Sequence, residues 1–299
     1  MARSPELERA ERMFADSVPP ASADRIERRA GYERMMAAFV PPDDASIEPA
    51  TIGGVPCIWV GAPGADPETV VVFTHGGGYM MGSAGGYREF GYSLSMATGA
   101  RVLLVDYRLA PEHPFPAAVE DVLAVHRALT ASTQVRRVIL AGDSAGGGLA
   151  LGSAMAIRDD RLPQPLAVVA ISPLTDATAS GESMESNRAS DPVVTREGVL
   201  RGTGHFYLAD RPAADHPYAS PHHGVKAGLP PLLLLVGSTE ALRDDSVRFH
   251  EAVLAAGGSS RLVVAPDMVH IWPIFSSFLP EARDAIATIG EFVAEQVAS

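Results

Sequence analysis

Short apolar runs recur along the chain with helix-like stretches between them. Strand-like runs fall at Val55 to Val60, Val70 to Thr74, Arg101 to Val105, Val138 to Ala141, Leu166 to Ser172, Leu232 to Val236 and Arg261 to Ala265. Several are apolar throughout, the pattern of strands whose two faces are both covered. Helix-like stretches at Tyr87 to Ala97, Ala117 to Leu129, Ala145 to Arg158, Asp244 to Ala256 and Glu281 to Ala298 supply the cover. This alternation predicts an α/β protein built on a mostly parallel sheet with helices on both faces. Thr178 to Pro221 breaks the rhythm, carrying no strand pattern and a helix-like piece from Thr195 to Leu208. It reads as an insertion. Residues 1 to about 45 read as helical, with Met13, Phe14, Ile26, Tyr32, Met35, Met36 and Phe39 among charged positions and a stop at Pro41-Pro42. Together the N-terminal piece and the insertion, at about 178–215, are expected to form a helical cap over the strand C-terminal ends, where open α/β sheets bind ligands.

At 299 residues the chain can bury one large core. Its net charge of -12 gives no basic footprint for nucleic acid or an anionic membrane surface. Glu6, Glu8, Arg9, Glu11 and Arg12 leave no apolar signal segment, and no run of about 18 apolar residues occurs, so a cytoplasmic location is expected. The lone cysteine, Cys57, lies among Val55, Ile58 and Val60 and reads as a buried structural thiol. Whether the chain forms a homo-oligomer is left open.

Chemistry enters with Gly142-Asp143-Ser144-Ala145-Gly146, which follows the apolar run Val138 to Ala141 and precedes a helical pattern. A strand, a glycine-flanked serine and a helix describe the elbow that lifts a nucleophilic hydroxyl above a parallel sheet. His75-Gly76-Gly77-Gly78 leaves the run Val70 to Thr74, and such a glycine loop can turn its amides towards a developing oxyanion. Gly76, Gly77 and Ala145 are the expected donors. A phosphate loop would need a Lys-Ser/Thr ending, which is missing. His75 itself reads as an orienting group bonded to local backbone.

Of nine histidines, His270 stands just past a strand end after Leu262 to Ala265 and a short turn, the position for a base serving Ser144. His113, His222 and His223 lie in proline-rich loops, and His126, His205 and His250 fall within helical patterns. For the acid, Glu240 sits in the loop after Leu232 to Val236, whereas Asp244 and Asp245 read as the first turn of the next helix. Glu240 is the expected partner of His270, with Asp244 in reserve.

These motifs, with Asp106 to Ala117, Tyr218-Ala219-Ser220-Pro221 and Met268-Val269-His270, resemble the bacterial hormone-sensitive-lipase-like esterases of the α/β-hydrolase superfamily, from about residue 50 to the end. The resemblance implies a mostly parallel eight-stranded sheet in a catalytic domain over 46–299, a helical cap, no metal or organic cofactor, and small, soluble carboxylic esters as substrates. Members often read Asp-Pro-Leu where this chain has Glu240-Ala241-Leu242. Within Tyr107 to Pro116, Arg108 and Glu112 are expected to pair. Tyr79 and Met80 after the glycine loop, Val193, Phe206 and Leu208 in the insertion, and Trp272 and Ile274 beside His270 are candidate pocket residues. The expected activity is a serine carboxylesterase working through an acyl-enzyme. Lactone hydrolysis and deacetylation share that intermediate, and a non-catalytic ligand-binding protein is the rival class.

Overall fold

The apolar runs become strands of one sheet: β1 (Ser46–Ile52), β2 (Val55–Gly61), β3 (Asp66–Thr74), β4 (Ala100–Val105), β5 (Arg137–Asp143), β6 (Ala167–Ile171), β7 (Leu232–Gly237) and β8 (Ser260–Ala265). Their order is β1-β2-β4-β3-β5-β6-β7-β8, with β1 and β2 antiparallel to their neighbours and all later pairs parallel. The computed structural model describes residues 4–17 and 24–299; residues 1–3 and 18–23 of the expected N-terminal helical piece lie outside them. β1 is the one strand without an apolar run: its sequence, Ser-Ile-Glu-Pro-Ala-Thr-Ile, is largely solvent-facing and holds a proline at the sheet edge.

Alternate residues of the parallel strands enter two separate cores. Val70, Val72, Leu140, Val168 and Leu234 face one side with α4 (Ala117–Thr130), α5 (Ala145–Asp159) and α8 (Arg243–Ala255). Val71, Phe73, Ile139, Val169 and Leu235 face the other with α1 (Pro5–Ser17), α2 (Arg25–Met36), α3 (Arg88–Thr98) and α9 (Pro280–Ala298). Each fully buried Val or Leu side chain contributes roughly 1.5–3 kcal/mol over its exposed state, and the stretches buried on both faces, Val70 to Phe73, Val138 to Ala141 and Leu232 to Val236, are apolar throughout.

Among the described residues, the N-terminal piece holds α1 and α2. α2 begins at a capping box, in which the Asp24 carboxylate accepts from the Glu27 N–H and the Glu27 carboxylate from the Asp24 N–H, and it ends at Met36. In the insertion, the expected helix over 195–208 divides into α7 (Arg196–Val199) and a π-helical segment, Leu200–Tyr207, preceded by the one-turn α6 (Ser183–Ser186). Arg108 does not pair with Glu112. Its guanidinium binds Asp121 and Glu120 of α4, while Glu112 meets Arg29 and Arg25 of α2. Cys57 is buried in β2, where desolvation pushes its thiol up to about 12. No helix among the described residues is long and apolar enough to cross a membrane.

Candidate active site

Ser144 joins β5 to α5 in a conformation an L-residue rarely adopts, with φ 52° and ψ -121°. The flanking glycines allow it. A Cβ on Gly146 would lie 2.0 Å from the Thr74 carbonyl oxygen, and one on Gly142 would lie 2.4 Å from the Gly146 oxygen, so strand, elbow and helix meet too closely for side chains. The Ser144 N–H donates to Ile171 O on β6, and the Thr74 hydroxyl donates to Gly146 O. The strained turn is therefore held from both sides of β5.

The loops after β7 and β8 bring two further groups to this point. The Ser144 hydroxyl lies 2.9 Å from His270 Nε2, and His270 Nδ1 lies 2.8 Å from Glu240 Oε2. With its proton on Nδ1, donated to the carboxylate, the imidazole presents Nε2 as an acceptor for the serine proton. Glu240 Oε1 accepts from the Ser172 hydroxyl and the Gly237 N–H, and Ser172 Oγ also accepts from the Ile271 N–H. One hydroxyl at the end of β6 thus fixes both the acid and the residue after the base. Asp244 and Asp245 are committed elsewhere. Asp244 accepts from the Ser183 N–H, and Asp245 from the Thr175 and Asp176 N–H groups.

All three groups are largely removed from water: Ser144 is 8% exposed, His270 2% and Glu240 0%. Burial acts to lower the His270 pKa, but the hydrogen bond and charge of Glu240, with the more distant charges of Asp191 and Asp143, outweigh it and hold the imidazole above its ordinary value. Burial pushes the Glu240 carboxyl up, opposed by its bonds from His270 and Gly237.

The glycine loop differs from expectation at one residue. The Gly76 N–H donates to Asp143 Oδ1 at 2.8 Å, so it is spent and cannot meet an oxyanion. Among the described residues, the Gly77 and Gly78 amides have no acceptor. Ala145 opens α5, where a helix leaves its first amides unpaired and its dipole favours negative charge. Among the described residues, the amides beside the elbow that are left without an acceptor are those of Gly77, Gly78 and Ala145. His75 orders the loop: Nδ1 bonds Gly76 O, the ring stacks on Tyr107 at 4.3 Å, and desolvation lowers its pKa to about 4, keeping it neutral.

Of the candidate pocket residues, Tyr79, Leu208, Trp272 and Ile274 are core side chains, each at most 1% exposed, and Tyr79 stacks on Tyr207. Met80, Val193 and Phe206 keep partial exposure. Two surface grooves, of about 670 and 770 Å³, lie beside Tyr92 and Trp59 and are lined by none of the candidate site residues. Sequence reasoning passed over Asp143, Ser172 and Asp191. Asp143 stood inside the elbow motif, but nothing local marked its partners.

An eight-stranded sheet in this order, with a serine on the strand-to-helix elbow and an imidazole and a carboxylate from the loops after the last two strands, defines the α/β-hydrolase class. Residues 71–274 match the family described as alpha/beta hydrolase fold. The chain is 39% identical to an acetyl-hydrolase of Streptomyces hygroscopicus, covering 97% of this chain and 96% of that protein. It is 30% identical to a carboxylesterase of Mycobacterium tuberculosis, over 94% and 93% of the two chains. A solved esterase of the bacterial hormone-sensitive lipase family superposes with a TM-score of 0.96 at 41% identity, covering 99% of this chain and 100% of that one. The chain belongs to the α/β-hydrolase family, among its bacterial hormone-sensitive-lipase-like esterases, and is a carboxylic ester hydrolase.

Proposed function

We propose that Ser144 is the nucleophile, His270 the general base and acid, and Glu240 the carboxylate that orients and stabilises the imidazolium, in the hydrolysis of small carboxylic esters. The observation that carries this reading is the unbroken chain from Ser144 Oγ through His270 to Glu240, with contacts of 2.9 and 2.8 Å. Ser144 Oγ bonds to the ester carbonyl carbon as its proton passes to His270 Nε2. The carbonyl oxygen becomes an oxyanion facing the Gly77, Gly78 and Ala145 amides. A missing donor of this kind typically costs about 10²–10³ in turnover. As the tetrahedral species collapses, the C–O bond to the alcohol breaks and His270 returns the proton to the leaving oxygen. Water then attacks the acyl-enzyme with His270 again as base, releasing the carboxylic acid and restoring Ser144.

The helical cap belongs to the same proposal: α1, α2 and the segment at about 178–215, above the catalytic domain of residues 46–299. Two contacts support it. The Arg29 guanidinium of α2 bonds Met80 O beside the glycine loop, and Gly202 of the π-helical segment packs near Met80, where an added Cβ would meet Met80 Cε at 3.1 Å. Met80, Val193 and Phe206 are the proposed lining. A short acyl group suits a buried serine, and the likeness to a protein named acetyl-hydrolase supports deacetylation of a small molecule as the second reading. A hydrolysis profile over p-nitrophenyl esters of rising acyl length, with lactones alongside, tests it. Activity falling steeply beyond medium chains is expected; a preference for long chains would overturn the small-ester reading.

A further inference from the structure

Asp143 is fully buried one residue before the nucleophile, yet ester hydrolysis as derived above gives it no task. Both its oxygens are engaged. Gly76 N–H donates to Oδ1 at 2.8 Å, and the Tyr87 hydroxyl donates to Oδ2 at 2.8 Å. Tyr87 has one proton and spends it there, so the 2.6 Å contact between the Tyr32 and Tyr87 hydroxyls is donated by Tyr32. The chain of donors therefore has one direction, from Tyr32 to Tyr87 to Asp143, which Gly76 meets from the other side. Its members come from α2, from the turn before α3, from the end of β5 and from the loop after β3.

The packing allows little slack. A Cβ on Gly76 would lie 2.4 Å from Asp143 Oδ2 and 3.2 Å from the Tyr87 hydroxyl, and one on Gly77 would lie 2.4 Å from Met81 O. The loop is clamped with the carboxylate under Gly76 and the Met81 backbone against Gly77, the first proposed oxyanion donor. The clamp anchors it to the residue that precedes Ser144.

We propose that Asp143 and Tyr87 are positioning residues that lock the oxyanion loop to the serine elbow. Tyr32 extends the lock into α2, so the N-terminal helices shape transition-state stabilisation without touching the substrate. This rests on the ester-hydrolase reading with Ser144 as nucleophile. Polar groups aimed at developing charge act through fixed geometry, and a donor set even slightly misplaced loses part of the factor of about 10²–10³ that one donor is worth.

The test compares wild type with Tyr87→Phe, Tyr32→Phe and Asp143→Asn. It measures kcat and KM on p-nitrophenyl acetate, affinity for a trifluoromethyl ketone that adds to the serine and presents an oxyanion, and the thermal midpoint. Tyr87→Phe should lower kcat about 10- to 50-fold with KM within about twofold, and weaken the ketone by a matching factor. Tyr32→Phe should show the same pattern at about three- to tenfold. Unchanged kcat in Tyr87→Phe overturns the lock, as does a fall in kcat with ketone affinity unmoved, or a loss that follows the thermal midpoint alone. If Asp143→Asn does not fold, the two phenylalanine variants still decide. Wild type that neither turns over the ester nor binds the ketone would fail the underlying reading instead, and the lock with it.

Discussion

The serine elbow and the insertion at about 178–215 are contrasting kinds of structure. From Val138 to Ile157 every residue is buried, and glycines 142, 146, 148 and 152 each have backbone within 2.4 Å of where a Cβ would stand. The insertion has one-turn helices, a π-helical segment and exposed Leu200, and its Gly204 has nothing within 4 Å of an added Cβ. The elbow is fixed by backbone against backbone in the middle of the sheet. The insertion buries scattered apolar side chains such as Met184, Val199 and Leu208, and polar side chains tie its loops down: Asp191 accepts the Val193, Val194 and Ala241 amides, and Asn187 donates to Ser238 O and Glu240 O. On the proposed mechanism, reacting atoms need sub-ångström placement and receive it from crowded strand ends, whereas a proposed cap can be built from looser material.

The sharpest way to break that contrast is at the reacting atoms. Ser144→Ala should cut turnover of a short-chain ester by about 10⁴-fold or more with the circular dichroism spectrum unchanged. Retained activity would remove the elbow from the chemistry. Glu240→Gln should cost about 10³–10⁴-fold, because an amide offered to His270 Nδ1 favours the wrong tautomer. Asp244→Asn should cost stability rather than rate, since that carboxylate serves the Ser183 amide; steady-state rates beside denaturant midpoints separate the two.

Crowding itself is tested by Gly146→Ala. With a Cβ only 2.0 Å from Thr74 O and 2.4 Å from His75 O, β3 or α5 must shift, at a cost of about 3 kcal/mol. The urea midpoint measures it, and a variant as stable as wild type would show that the elbow has room for a methyl group.

How much of this was legible in the sequence follows the same division. Six of the apolar runs became β2 to β5, β7 and β8 nearly as read, and the run from Leu166 to Ser172 contains β6. Doubly buried strands leave an unbroken apolar signature. β1 left none, because an edge strand facing solvent is free to be polar. Ser144, His270 and Glu240, which the fold brings within hydrogen-bond reach of one another, each follow a strand end and so leave a local mark. Nothing local marks the Gly76 amide as occupied, since the carboxylate that accepts from it is 67 residues away. The Arg108–Glu112 pairing failed for a related reason: Asp121, on the next helix, and α2 offer better-placed partners. Contacts between distant segments leave no local period to read.

The electrostatic link between the two regions can be sharpened through pH. A protonated His270 cannot accept the serine proton, so kcat/KM should fall as pH drops through its pKa. Because net interactions hold that pKa above the ordinary imidazole value, the acid limb should lie on the alkaline side of 6.5. By the same linkage, the charged imidazole's favourable contacts stabilise the fold fully below the ordinary value, and this stabilisation is lost as pH rises through the folded one. Asp191, in the insertion, contributes to the elevation. Asp191→Asn should move the limb towards lower pH, and a limb that stays put would confine the influence of the insertion to shape.

The smallest effect is expected where the structure is loosest. Gly204 lies in the π-helical segment with a negative φ and open space around its Cβ position, so alanine there meets no clash and restricts the unfolded chain. Gly204→Ala should therefore raise stability by about 0.4–1 kcal/mol and leave turnover within about twofold. The same one-methyl change at Gly146 carries the opposite sign and several times the size, so the pair measures how unevenly rigidity is distributed around one serine. If Gly204→Ala instead lowered kcat while stabilising the fold, the looseness of the insertion would itself be required, as it would be if this segment must move for an ester to reach Ser144 or an alcohol to leave it.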